Sequence, residues 1–292
     1  MISRREFVAA IGAASVLPAA TLMADPAAPA GELLIATYNL RYAGGDAPPN
    51  DWPSRRPRIK ALLDRYRPDV LGTQEGLFGQ LKDVAADQPD FDWIGLGRDG
   101  GSRGEFMAIF YRRERFEPLE FDHFWLSDTP ETIGSSTWGN GVRRMLTWVR
   151  FKDRTTQREF YFWNTHLDHE VQHAREKSAA LIRHRMAALP PEVPLFLVGD
   201  FNAVARDNRA YDILTGEGGL DDTWYAARER RNEAANSFNG FGPLLLEGKR
   251  IDWVLARGAI DVRAAEVVTF RPGEQWPSDH LPVMTWATLS SR

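Results

Sequence analysis

The sequence contains no cysteine. This excludes disulfides, thiolate nucleophiles and cysteine-held zinc or iron–sulfur centres. Any metal must then be held by oxygen or imidazole, donors that favour hard ions such as Mg²⁺, Mn²⁺ or Ca²⁺. Charge of one sign is also scarce. Forty acids face 36 bases, a formal net charge of −4, which lacks the electrostatic footprint of a general nucleic-acid binder. After the N-terminal segment no apolar run approaches the ~20 residues that span a bilayer. There is no short-period repeat and no Pro/Gly/Ser-rich linker that would divide the chain.

What is present begins with a leader. Ser3-Arg4-Arg5-Glu6-Phe7-Val8 opens the chain, an apolar run follows to Leu17, and small residues lead to Ala24. A charged start, a short apolar core and a small-residue exit make an export signal. The paired arginines point to the twin-arginine route and its export machinery. The reading is a signal over residues 1–24 with cleavage after Ala24, then an Ala/Pro-rich tail over 25–31. Residues 32–292 form one domain, periplasmic or extracellular. Without the signal the net charge moves to about −5.

The mature chain alternates short apolar runs with amphipathic stretches. Leu33–Leu40 reads as a buried strand, Ser54–Tyr66 as a helix capped by Ser54 and stopped by Pro68, and Val70–Gln74 as a second strand before a helix to about Asp87. Phe106–Tyr111, Phe116–Trp125, Leu146–Phe151 and Phe160–Asn164 read as strands of a mostly antiparallel sheet. A long helix is expected over Glu170–Leu189, then strands at Pro194–Gly199, Ile251–Leu255, Val262–Phe270 and Val283–Thr288. Two packed sheets with helices outside satisfy this order. Trp125, Trp138 and Trp276 lie in loop-like surroundings and are candidates to stack on a substrate ring.

The informative pattern is where polar residues end apolar runs. Asn39 closes the first strand and Glu75 the second. "FWNTHLDH" supplies His166, "FLVGDFNAV" Asp200 and Asn202, "KRIDWVL" Asp252, and "PSDHLPV" Asp279 and His280. Each sits where a rigid element meets a loop, a place that aims a side chain while leaving access. Singly they have ordinary explanations: Asn39 in a turn, Glu75 at a helix start, His166 half-buried, Asp252 paired with Arg250. Their recurrence at strand ends points to convergence on one face.

These motifs ("TYNLRY", "TQEGL", "NTHLDH", "VGDFNA", "IDWVL" and "SDHLPV", in this order) resemble the endonuclease/exonuclease/phosphatase superfamily, the deoxyribonuclease I-like fold, from about Glu32 to Thr288. The resemblance implies an α/β fold, a four-layered α/β/β/α sandwich of two packed, mostly antiparallel sheets. It implies metal-dependent hydrolysis of phosphate esters, with phosphodiesters the expected substrates. Glu75 and Asn39 would hold Mg²⁺ or Mn²⁺, helped by Asp279, since Mg²⁺ needs only one or two carboxylates. Asp200 would orient and deprotonate the attacking water beside Asn202. His280, paired with Asp252, would contact the phosphate as base or as cation, and His166 would donate to a phosphate oxygen or stand near the leaving group. Some nucleases of the family carry an acid where Arg41 stands; this cation can instead reach a substrate phosphate. Phe124–Arg144 resembles a segment of exported bacterial and deadenylase-like members, which makes Arg143 and Arg144 candidate phosphate contacts. His169 and His173 are expected on the long helix's surface or behind the site. Two other readings stay open: an extracellular nuclease acting on DNA or RNA, and a phosphate-ligand binding protein without turnover.

Overall fold

A computed structural model describes residues 31–290. The expected signal and nearly all of the Ala/Pro-rich tail lie outside the described residues. In chain order the elements are β1 (Glu32–Asn39), α1 (Trp52–Tyr66), β2 (Val70–Gln74), β3 (Gly76–Leu77), α2 (Phe78–Asp87), β4 (Phe91–Ile94), β5 (Glu105–Phe106), β6 (Ile109–Arg112), β7 (Phe116–Trp125) and β8 (Met145–Asp153). They continue with β9 (Glu159–His166), α3 (Gln172–Ala187), β10 (Leu195–Asp200), α4 (Arg209–Thr215), β11 (Asp221–Asp222), α5 (Thr223–Ala226), β12 (Glu229–Arg231), β13 (Asp252–Arg257), β14 (Ile260–Val267) and β15 (Val283–Leu289).

Side-chain alternation builds the layers. Successive residues of a strand point to opposite faces, and the central strands are apolar on both. Leu33 and Ile35 of β1, Phe160 and Phe162 of β9, and Phe196 and Val198 of β10 meet in one core between two sheets. The intervening residues face outward. Leu34, Ala36 and Tyr38 pack on α1 and α2, and Tyr161, Trp163, Leu195 and Leu197 pack on α3 and α4. The result is the expected helix–sheet–sheet–helix sandwich. One sheet runs β12-β14-β15-β1-β2-β6-β4 and the other β11-β13-β10-β9-β8-β7. Pairing is antiparallel apart from β1/β2, β9/β10 and β12/β14.

The structure differs from the sequence reading in detail. Helix α1 starts at Trp52 after Asp51, so Ser54 lies inside its first turn and caps nothing; Pro53, whose fixed φ suits that turn, sets the start. The expected strand Phe106–Tyr111 is two strands, broken at Met107–Ala108. Trp125, Trp138 and Trp276 are buried, which removes them as stacking platforms. Trp125 Nε1 donates to the Arg98 carbonyl at 2.7 Å and Trp276 Nε1 to that of Gly242 at 2.8 Å.

Candidate active site

The site is the open end of the inter-sheet core. On β9 the inward row reads Phe160, Phe162, Asn164, His166; on β10 it reads Phe196, Val198, Asp200; on β13 it begins at Asp252. Register places Asp200 beside His166 on one side and Asp252 on the other. In the facing sheet β1 ends at Asn39, paired with Gln74 of β2. The sheets are joined just behind this end by polar contacts. Gln74 Nε2 donates to Asn164 Oδ1 at 2.7 Å and to Thr37 Oγ1 at 3.0 Å, and Asn164 Nδ2 donates to the Thr73 and Ala108 carbonyls, both at 2.9 Å. Gly72 lets the sheets approach: a Cβ there would meet Val198 Cγ2 at 2.5 Å and Asn164 at 2.9 Å.

All eight expected strand-end groups converge. Asn39 Nδ2 donates to Glu75 Oε1 at 2.9 Å and to Asp200 Oδ2 at 3.0 Å, while its Oδ1 accepts from Arg41 N at 2.9 Å. The amide therefore orients two carboxylates with its nitrogen, and its oxygen is already engaged. Glu75 caps no helix; its second oxygen accepts from Tyr42 N at 3.1 Å. Asp279 accepts from Ser278 Oγ at 3.2 Å and has Arg41 Nη1 3.9 Å away. Arg41, Glu75 and Asn202 all adopt left-handed backbone conformations, with φ of 53°, 62° and 48°, at a cost of roughly 1–2 kcal/mol for a non-glycine residue.

Two histidines flank one carboxylate oxygen. His280 Nε2 lies 3.6 Å from Asp200 Oδ2, and His166 Nε2 lies 3.4 Å from the same atom. His280 Nδ1 is 3.0 and 3.2 Å from the two oxygens of Asp252. Burial opposes its charge, but Asp252, Asp200 and Asp279 outweigh that and push it up to about 10. His280 is an imidazolium. His166 is the reverse: burial, reinforced by Arg144 and Arg98, holds its pKa well below the usual value. Asn202 Nδ2 lies 3.0 Å from His166 Nε2 and donates to the Leu167 carbonyl at 3.1 Å. Burial pushes Asp200 up to about 7, against the pull of His280.

These groups open into a cavity of about 600 Å³. Glu75, His166, Asp200, Asn202, Asp279 and His280 line it, as does Arg41, held by Asp46 at 3.0 and 3.2 Å. Arg144 also lines it, buried, with His169 Nδ1 3.0 Å from its Nη2 and Asp168 3.5 Å from its Nε. Arg143 instead pairs with Asp99 at the surface. His169 lines the cavity, whereas His173 is exposed on α3. Sequence reasoning missed Tyr42, Phe238 and the Arg98–Glu105 pair (2.6 Å) on the cavity wall. The Phe238 ring packs against His280 at 4.9 Å between centroids. Arg98 and Phe238 sit in irregular segments with no apolar run beside them, whereas Tyr42 and Glu105 flank the runs Leu33–Leu40 and Phe106–Tyr111 without interrupting them.

The donor set suits a hard divalent ion. Single ligand atoms of Glu75, His166 and Asp200 lie within 4.8 Å of one another, as do those of Asp200, Asp252 and His280. In the second group the imidazolium has no free lone pair and Asp252 is engaged by it, so the carboxylates of Glu75 and Asp200 in the first group are the donors better able to hold an ion. Oxygen donors predominate there, as Mg²⁺ or Mn²⁺ prefers.

A profile of the endonuclease/exonuclease/phosphatase family matches residues 36–280. The chain belongs to that family, whose members act on phosphate esters and generally use a divalent metal. It is similar to an endonuclease/exonuclease/phosphatase family protein of Bacteroides thetaiotaomicron, 34% identical over 89% of this chain and 99% of that one, with a TM-score of 0.84. A mannosyl-6-phosphatase of the same species is 35% identical over 88% and 99% of the two chains, with a TM-score of 0.83. The human nocturnin catalytic domain shares the fold, at 16% identity, over 90% of this chain and 96% of that one, with a TM-score of 0.70. An uncharacterized protein of Acanthamoeba polyphaga mimivirus is 26% identical over 171 residues, 56% of this chain; the chain covers 63% of that relative's length.

Proposed function

We propose that the protein is an exported, divalent-metal-dependent phosphoester hydrolase whose substrates are small phosphate monoesters of the sugar-phosphate class. One observation carries this: the inward row of acids and histidines ends in a cavity of about 600 Å³ that Arg41, Arg98 and Arg144 also line. That volume has room for a hexose phosphate. The Arg98–Glu105 pair offers donors and acceptors for hydroxyls, and the likeness to a mannosyl-6-phosphatase over 99% of its length supports the same class.

Glu75 would hold the ion, with Asp200 and His166 beside it. A bound ion would supply charge to offset the phosphoryl oxygens. Asp200, buried and a stronger base than an exposed aspartate, takes the proton of the attacking water. His280 remains an imidazolium and stabilises charge that builds on phosphate, with Asp252 holding its ring. Arg41 and Arg144 bind the phosphate dianion.

The test is hydrolysis of hexose 6-phosphates and p-nitrophenyl phosphate, beside bis(p-nitrophenyl) phosphate and plasmid DNA, with Mg²⁺, Mn²⁺ or chelator, for wild type and Asp200→Asn. Metal-dependent monoester turnover, absent in the variant, is the expected result. Preference for the diester or for DNA would move the assignment to a phosphodiesterase or nuclease. Metal and phosphate binding without turnover of any ester would make it a binding protein.

A further inference from the structure

We infer that Arg55, on the far side of the first-strand loop from the cavity, is a positioning residue for the ion's carboxylate. The inference rests on the reading of Glu75 as that carboxylate. Arg55 is fully buried, yet all four hydrogen bonds of its guanidinium go to backbone carbonyls. Nε donates to Asn50 O at 2.7 Å, Nη1 to Leu40 O at 2.6 Å and to Pro277 O at 3.3 Å, and Nη2 to Arg41 O at 2.8 Å. Three separate segments thus meet on one side chain of α1: the exit of β1, the loop before α1, and the loop that carries Asp279 and His280.

The consequence is directional. Gln80 of α2 holds the same loop from the other side, donating to Arg41 O at 2.9 Å and accepting from Ala43 N at 2.8 Å. With the carbonyls of Leu40 and Arg41 drawn toward the helices, the next two amides point the opposite way. Arg41 N meets Asn39 Oδ1 and Tyr42 N meets Glu75 Oε2. The left-handed turn at Arg41 (φ 53°) is the bend this requires. Desolvating a guanidinium costs several kcal/mol, and here the cost is offset by hydrogen bonds to four backbone carbonyls. A fork of N–H groups that spans three segments is what an apolar residue cannot supply.

Mn²⁺ binding to the apoprotein, read by the loss of the free-ion electron paramagnetic resonance signal, tests this without turnover. Arg55→Lys keeps the charge but cannot span three segments. Its Mn²⁺ Kd should rise about 10–100-fold, the usual effect of disturbing a residue behind a ligand. Surface Arg56→Gln, which loses ion pairs to Asp83 and Asp87, should leave Kd unchanged. If Arg55→Lys does not fold, Gln80→Met, which releases the same loop, should show the rise instead. A folded Arg55→Lys, or failing it Gln80→Met, that melts earlier but binds Mn²⁺ within twofold of wild type would overturn the inference alone. A wild type that binds no Mn²⁺ would sink the reading of Glu75, and the inference with it.

Discussion

At the scale of the residue, one oxygen of Asp200 sits between two imidazoles in opposite charge states. Asp200→Asn removes the base and should lower kcat by about 10²–10⁴-fold with a smaller change in KM, measured in steady state. Asp252→Asn removes the main charge that raises His280, so the alkaline limb of the kcat profile should move toward neutral pH. The stability effect has a definite sign. His280 titrates near 6.5 unfolded and near about 10 folded, so its contribution is complete below about pH 6.5 and is lost as pH rises through about 10. Urea midpoints across that window should fall more for wild type than for Asp252→Asn. Those residue positions were readable in the sequence because each interrupts an apolar run. Their charges were not, because Asp252 and His280 are 28 residues apart and meet only where the two sheets pack, Asp252 on β13 of one and His280 just before β15 of the other.

Elements explain why the site is where it is. A strand whose inward row is apolar until its last position delivers a polar group to the rim of the core with no further instruction. Short apolar runs bounded by turn residues are visible in a sequence, which is why β2 and β7 were read with their observed bounds and β1, β9 and β10 to within two residues. The short strands β3, β4, β11 and β12 and the helices α4 and α5 were not read, since two to seven residues carry too little periodicity. The partnering of sheets was also hidden. Gly72 looks like any strand glycine until Val198 and Asn164 of the other sheet are seen against it. Gly72→Ala should therefore cost about 1–3 kcal/mol by overpacking, read by urea denaturation. It should also weaken catalysis, because the displaced Asn164 anchors Gln74 beside Asn39.

For the whole molecule, composition excluded cysteine chemistry and argued against a general nucleic-acid surface, and the resemblance supplied the layers. Of the cavity wall, Arg41 and Arg144 were legible, whereas Arg98, Glu105 and Phe238 were not, because they come from loops and a two-residue strand that only the closed sandwich gathers. Ion binding to the folded state alone should stabilise it; Mn²⁺ at 100 times its Kd should add about 2.7 kcal/mol, seen as a higher Tm that chelator reverses. Among the described residues no helix is long and apolar enough to cross a membrane. The export proposal predicts a mature N-terminus after Ala24 by mass spectrometry, and retention of the precursor when Arg4 and Arg5 are both replaced by Lys.

The left-handed backbone at Arg41, Glu75 and Asn202 has an evolutionary corollary. Glycine would relieve the conformational cost at each position, and at Glu75 it would also delete the carboxylate beside the proposed ion. Selection for heat resistance alone would then favour changes that disarm the catalyst from its centre. A library of variants ranked only by melting temperature should contain dead enzymes near the top.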